Sequence, residues 1–407
     1  MAKAEPAPRN RQGQGRPVTR PACYLDYNAG APVKPAVAAA MAEALERDGN
    51  PSSVHRFGRL ARRAVEDARA RVAALVGATP AEVVFTGSGT EANNLALKGS
   101  GRRRLIISAI EHDSVLRAAP GAGVAPANGD GLVDLAALET ALAADHEPAL
   151  VSVMLANNET GVVQPAAEAA ALARARGALF HSDAVQAAGK VAVDFAALGA
   201  DLLSLSAHKL GGPQGVGALV VRDGVELAPL IDGGRQEMGR RAGTENVAAI
   251  VGFGVAAELA EADARETDRL ARLRDEIERR LRAIAPDLVV FGAAARRLPN
   301  TSCVTMPGVR SETQVMALDL AGVAVSAGSA CSSGKVSVSH VLRAMGVAED
   351  EAACAIRISL GWGSTAADAE RLIEAWGALY ARTRANATAA RRGAARALAG
   401  GARRGHG

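Results

Sequence analysis

The chain has 407 residues, 49% of them hydrophobic and only 3% aromatic, with a formal net charge of +4. That charge sits at the ends: residues 1–21 carry +4 and seven arginines in 382–407 carry +7, which leaves the body at −7, so the basic balance comes from the tails and says nothing of a nucleic-acid groove in the body. No apolar run reaches the ~20 residues that cross a bilayer and no secretory h-region is present, so a cytoplasmic protein without membrane spans is expected, of two or three domains.

In chain order, residues 1–21 form a basic tail rich in Ala, Pro and Arg, expected to be disordered. Stretches 34–46 and 58–75 have helical periodicity. Short apolar runs then follow at 82–85, 104–109, 149–155, 178–184, 201–206 and 217–222 and predict strands. Helical stretches near 91–98, 112–118, 134–144 and 165–176 fall between most of them. This alternation predicts an α/β fold with a mostly parallel central sheet and helices on both faces. The strand at 217–222 follows its predecessor through a glycine turn, so it is expected to pair antiparallel. A long helix is predicted from about 252 to 284. Strands at 301–306, 323–326 and 355–359 and helices at 312–320 and 366–383 follow, as a smaller α+β unit. The expected domains are therefore 22–255 and 256–385, with a second disordered basic tail at 386–407.

Ligands of open parallel sheets bind beyond the carboxyl ends of the strands. Five successive strand ends here carry polar or glycine-rich residues: "TGSGTEANN" (86–94), Glu111–His112, Asn157–Asn158–Glu159, Asp183 with Gln186, and His208–Lys209. "TGSGTE" opens a helix, whose first amides suit a phosphate, and Thr90 adds a hydroxyl. Asp183 suits a ring cation, and His112 suits a flat ring. Lys209 stands in "SLSAHKLGGPQGVG" (204–217). It precedes its glycines, which excludes a P-loop and leaves a surface lysine or an amine that binds an aldehyde. Phosphate, ring cation and aldehyde together describe pyridoxal phosphate. A dinucleotide fingerprint is disfavoured: Ala92 stands where its third glycine or alanine would sit, but no acidic ribose ligand is apparent.

The set of segments "YLDYNAGAP" (24–32), "GNPSSVHRFGR" (49–59), "TGSGTEANNLALKG" (86–99), "EHDSV" (111–115), "NNETGVVQP" (157–165), "HSDAVQAAGK" (181–190), "SAHKLGGPQGVGAL" (206–219), "GGRQEMGRRAGTENV" (233–247), "SAGSACSSG" (326–334) and "IRISLG" (356–361) resembles the cysteine desulfurases of the NifS/IscS type. These belong to the class V aminotransferase group of pyridoxal-phosphate enzymes, of fold type I. The resemblance implies that Lys209 is the Schiff-base lysine. It implies that Gly89, Thr90, Ser206 and His208 hold the phosphate, that Asp183 pairs with the pyridine nitrogen, and that Gln186 reaches the ring oxygen. Asn158 would contact the cofactor, and His112 would stack on it and shuttle protons. Thr244 would serve the phosphate of the neighbouring subunit, which implies a homodimer. Arg357 and Asn28 would bind the substrate, L-cysteine, and Cys331 would be the nucleophile that becomes a persulfide as alanine forms. Sulfur would pass to an iron–sulfur scaffold or another acceptor protein, with no metal at the site and no direct nucleic-acid contact. The family usually has two threonines where this chain has Gly30 and Ala31, and it differs at Arg235, Met238, Arg240 and Ala242 and in "GKVSVSH" after the cysteine. These departures leave the cofactor set whole.

Of the four cysteines, none lies in a CxxC pair. Cys331 stands among small polar residues, unlike a core cysteine, whereas Cys23, Cys303 and Cys354 stand in apolar runs and are expected in the core. His181 and His340 are expected to be structural, His146 and His406 to lie on the surface, and His55 to cap a helix, sit in a loop or join the site. The rival readings are selenocysteine lyase or another class V reaction, a sulfur donor for tRNA thiolation, and an inactive cofactor-binding scaffold.

Overall fold

The computed structural model describes residues 23–263, 267–328 and 338–402. The order of elements in the first part is β1 (Cys23–Tyr24), α1 (Pro35–Leu45), α2 (Arg56–Leu75), β2 (Val83–Thr86), α3 (Gly89–Gly99), β3 (Arg104–Ser108), α4 (Asp113–Leu116), β4 (Gly123–Ala125), α5 (Leu135–Ala143), β5 (Ala149–Ser152), α6 (Ala166–Ala175), β6 (Leu179–Asp183), α7 (Phe195–Leu198), β7 (Leu202–Ser206) and β8 (Gly217–Val221). The chain continues through α8 (Val247–Asp263), α9 (Thr267–Ile284), β9 (Thr301–Thr305), α10 (Ser311–Leu320), β10 (Val323–Ala324), β11 (Ser326–Ala327), α11 (His340–Ala344), α12 (Glu349–Ala352), β12 (Ala355–Ser359) and α13 (Ala366–Ala402).

The main sheet has seven strands in the order β2-β8-β7-β6-β5-β3-β4. Its β4-β3, β3-β5, β5-β6 and β6-β7 pairs are parallel, and β8 runs antiparallel to both neighbours, as its glycine turn predicts. Alternate strand residues point to opposite faces, and both faces are apolar. Val83, Phe85, Val151, Leu203 and Val220 pack on one side against α2, α6 and α8. Val84, Ile107, Leu150, Leu202 and Leu219 pack on the other against α3. A sheet covered on both faces keeps its strands nearly continuously apolar, which is why they are legible as runs. No helix among the described residues is long and apolar enough to cross a membrane.

The unit boundaries differ from those expected. The stretch predicted as one helix from 252 to 284 is helical over Val247–Asp263 (α8) and Thr267–Ile284 (α9), and residues 264–266 lie outside the described residues. Ala256, Ala257 and Ala260 of α8 lie in the core of the large unit, so that unit extends past residue 255. At the other end, β1 pairs with β10, and Cys23 and Leu25 pack with Ile356 and Trp376 in the second core. The chain thus begins in the small unit and crosses to the large one. The run at 323–326 is divided between two sheets, β10 beside β1 and β11 in the antiparallel sheet β11-β12-β9. Helix α13 continues to Ala402 rather than ending near 383, so most of the tail expected to be disordered at 386–407 is helical. Alanine and arginine are among the strongest helix formers, and they dominate that stretch. The expected N-terminal tail, 1–21, lies outside the described residues.

Candidate active site

A cavity of about 410 Å³ opens at the carboxyl ends of the parallel strands, and it is lined by residues from all five strand ends that the sequence singles out. Its first wall is the start of α3. Ser88 caps that helix by accepting from Glu91 N at 3.1 Å. The amides of Gly89 and Thr90 lie in the first turn, where no intrahelical acceptor exists for them. Glycine is required at 89 because a Cβ there would meet Val185 Cγ2 at 3.0 Å and Ser206 Cβ at 3.3 Å. Glu91 fastens the turn by accepting from Gly87 N at 2.7 Å and from Arg241 Nε at 2.9 Å. Ser206 and His208 complete this wall. Burial, with Lys209 and Lys190 nearby, pushes the His208 ring down to about 4, so it is neutral at pH 7.

The opposite end is built on β6. Asp183 closes that strand with its carboxylate on the cavity. Its Oδ1 accepts from Val185 N at 2.9 Å, and its Oδ2 accepts from Asn93 Nδ2 at 2.7 Å. Asn93 also donates to Ser114 Oγ at 2.8 Å, and that oxygen lies 2.8 Å from His112 Nδ1. One chain of side chains therefore joins Asp183 to His112. His112 Nδ1 accepts from Ser114 N at 3.1 Å, which places the proton of the neutral ring on Nε2. Burial, followed in the same direction by the Lys209 charge, holds His112 below its ordinary pKa against the pull of Asp183.

Lys209 follows β7 in a single 3-10 turn. Its Nζ donates to Asn28 O at 2.6 Å and Ala29 O at 2.9 Å. The glycines after it are needed for close approach, since a Cβ at Gly212 would lie 2.8 Å from Ala207 O. Arg357 enters from β12 and is buried. Its Nη2 donates to Asp26 Oδ1 at 2.8 Å and its Nη1 to Asn158 O at 3.1 Å, whereas Nε is buried without a partner. Asn158 thus lends its carbonyl to the site's framework.

Asn28, expected to bind substrate, lines the cavity and is also a hub of hydrogen bonds. Its Nδ2 donates to Thr301 Oγ1 at 2.9 Å and Asn158 O at 3.2 Å, and its Oδ1 accepts from Lys190 Nζ and Asn300 Nδ2. Both amide ends are committed to the protein. Thr244 is exposed and does not line this cavity. Cys331 lies outside the described residues, and Gly328, at the end of the segment before it, lines the cavity.

Asn93 lies inside the surveyed stretch 86–94 but is assigned no task there, and Lys190, beside the cavity, falls outside the strand-end survey. Asn93 sits one helical turn after Thr90, and a polar residue recurring on the helix face that carries the phosphate-binding turn was the available signal. Behind the site lies Glu111, fully buried. Its Oε1 accepts from Ser108 Oγ and Met154 N, its Oε2 has no partner, and burial pushes it up to about 8. Other residues match their structural readings. His181 lies between Ser152 Oγ at 2.8 Å and Ser204 Oγ at 3.0 Å. His340 Nε2 lies 2.9 Å from Glu111 O. His55 caps α2 by accepting from Gly58 N. Cys23, Cys303 and Cys354 are buried. Among the described residues no cluster of side chains could hold a metal ion.

These residues fit pyridoxal phosphate. The volume lies in the range of small-ligand sites. Free helix amides suit the phosphate, a buried carboxylate suits the protonated ring nitrogen, and an amine stands beside both. Comparison with known proteins points the same way. The family model for "Aminotransferase class-V" matches residues 23–372. A cysteine desulfurase of Cereibacter sphaeroides is 47% identical over 366 residues, covering 86% of this chain and 94% of that protein. The cysteine desulfurase IscS of Dictyoglomus turgidum is 43% identical, with the same coverage of each. Among solved structures, a NifS-like protein from Rickettsia africae matches with a TM-score of 0.83 at 38% identity, covering 88% of this chain and 99% of that one. A structure described as SspA in complex with cysteine matches with a TM-score of 0.72 at 34% identity, covering 83% and 98%. The chain belongs to the class-V aminotransferase family, as one of its pyridoxal-phosphate-dependent cysteine desulfurases.

Proposed function

We propose that this desulfurase moves the sulfur of L-cysteine onto Cys331 and passes it to an acceptor protein of iron–sulfur cluster assembly, in the cytoplasm. The observation that carries the reading is the convergence of Lys209, Asp183 and Arg357 on one cavity. Bound pyridoxal phosphate supplies the electron sink that stabilises a carbanion at the substrate Cα.

The chain's residues then have distinct tasks. The amides of Gly89 and Thr90, with Ser206 and His208, hold the phosphate, and neutral His208 acts there as a hydrogen-bonding partner rather than a charge. Asp183 keeps the ring nitrogen protonated, and Asn93 keeps Asp183 aimed. Gln186 donates to the ring oxygen. Lys209 holds the aldehyde and later moves protons at Cα. His112, neutral with its proton on Nε2, is placed to give or take a proton beside the ring. Arg357 uses Nε and its remaining N–H groups to grip the substrate carboxylate. The Cys331 thiolate attacks the substrate sulfur. The S–S bond forms as the C–S bond breaks, and the carbon takes the electron pair and a proton to become alanine. The sulfur is left as a persulfide on Cys331.

A homodimer completes the site in this reading. Val54, Phe57 and Leu60 around the start of α2 are exposed, as is Met238. Ion pairs from Arg62 to Glu245 and from Arg69 to Glu237 join α2 to the segment that carries Met238 and Thr244. This exposed apolar surface suits a second copy of the chain, whose phosphate Thr244 would reach.

The test is to incubate the protein with L-cysteine and a reductant and to quantify alanine and sulfide together. Equal amounts are expected from the wild type. Losses on the order of 10²–10⁴-fold are expected in Lys209→Ala and Cys331→Ala. Undiminished alanine from Cys331→Ala would overturn the persulfide route and favour another class V reaction.

A further inference from the structure

Lys190 stands beside the cofactor cavity without lining it, and none of the tasks above uses it. It lies four residues after Gln186 in the turn that follows β6. Gly189 makes the reversal possible at φ 72°, where a Cβ would lie 2.7 Å from Leu210 Cδ2. Lys190 Nζ donates to Gln186 Oε1 at 2.7 Å and to Asn28 Oδ1 at 2.9 Å. On its other side, Gln186 donates from Nε2 to Asn28 O at 3.0 Å.

This arrangement fixes an amide that diffraction alone rarely orients. A lysine amine bonded in this way is a donor, and a backbone carbonyl is only an acceptor. The Gln186 oxygen must therefore face Lys190, and its nitrogen must face Asn28 O. An amide nitrogen carries two hydrogens. Asn28 O takes one, and among the described residues no partner takes the other, while Gln186 lines the cavity. Lys190 is also held by its surroundings. Burial first, then the Lys209 and Arg357 charges, push its pKa well below the ordinary lysine range. His208, whose ring is neutral, is the other titratable group coupled to it. Even an uncharged amine has two hydrogens, and Lys190 has two acceptors for them.

We propose that Lys190 is a positioning residue. By holding Gln186 Oε1 it commits the second Gln186 N–H to the cofactor's ring oxygen, and it acts on the cofactor through Gln186. The inference rests on Gln186 being the donor to that oxygen.

The experiment is a pH titration of the visible absorption band of the holoenzyme, in which Lys209 is bound to the cofactor. A donor to the ring oxygen favours the form that has lost the Schiff-base proton, because the oxygen then no longer shares that proton. Losing the donor should raise the midpoint by about one pH unit, a tenfold change in the proton equilibrium. Gln186→Leu and Lys190→Met are each expected to raise it by that amount, and the double variant no further. Lys190→Gln, which can supply one N–H, is expected to show part of the shift and serves if Lys190→Met does not fold. Shifts that add in the double variant would mean that Lys190 acts by its own charge, and would overturn the proposal. So would a wild-type midpoint in Lys190→Met beside a shifted Gln186→Leu, with the Gln186 reading left intact. An unshifted Gln186→Leu would overturn both.

Discussion

Asn93 is the residue that joins two of the cavity's titratable groups, because it binds the Asp183 carboxylate and, through Ser114, reaches His112. Nothing in its local sequence marks it. An asparagine on a helix is usually a solvated polar residue, and only burial shows that this one has no water to bond. Lys190 was illegible for a similar reason, since a lysine after a glycine is most often at the surface. Lys209, Asp183 and His112 were legible because strand ends of a parallel sheet converge, so position along the chain stands in for position in space. The hydrogen bonds that Asn28 makes within the protein were not legible, because residue type and position do not reveal which partners the fold brings to a side chain. Glu111 offers a test at this scale. Its folded pKa of about 8 lies above the ordinary 4.5, so it holds its proton more tightly folded than unfolded. The stability this contributes is fully present below pH 4.5 and is lost as pH rises through about 8. Glu111→Gln mimics the protonated form, and denaturant melts are expected to show a flatter stability profile across that window.

Helix α2 ties the sheet to the turn Gln236–Gly239 through a buried pair. Arg69 donates to both Glu237 oxygens, at 2.6 and 2.8 Å, and lies 4.8 Å from the centre of the Phe85 ring. Glu237 also accepts from Phe85 N at 2.8 Å, and its backbone is left-handed, at φ 48°. The turn is therefore held in a strained shape by a charge pair with no access to water. Glu237→Gln leaves a buried guanidinium with only Glu66 as a carboxylate partner and is expected to cost about 3 kcal/mol, measured by urea unfolding. At the scale of elements, long apolar runs were legible and short pieces were not. Strand β4 has three residues, too few for a period to show. The split of 323–326 into β10 and β11 depends on two different partners, β1 at Cys23–Tyr24 and β12 at Ala355–Ser359.

The whole molecule is two cores joined by a cavity, and the order of the strands was legible only as an alternating α/β pattern. Which core each end of the chain joins was not, because cross-unit pairing leaves no periodic signal. The proposed dimer is tested here. Leu60→Glu with Phe57→Glu places charges on the apolar face of α2 and is expected to yield monomers in analytical ultracentrifugation. Cofactor retention should weaken with it, since Thr244 would no longer reach a partner's phosphate. Dimers of the variant that keep their cofactor would count against that surface. Strand β1 has a further consequence, for synthesis on the ribosome. Cys23 emerges about 300 residues before its partner Val323. At roughly 5–20 residues per second, the wait lasts on the order of 15–60 seconds. The large unit can collapse during that time, while the small core lacks its outer strand until translation is nearly complete. The opening segment also contains Asn28, which holds Lys209. Its carbonyls at Asn28 and Ala29 are made 181 and 180 residues before the lysine whose Nζ they accept from.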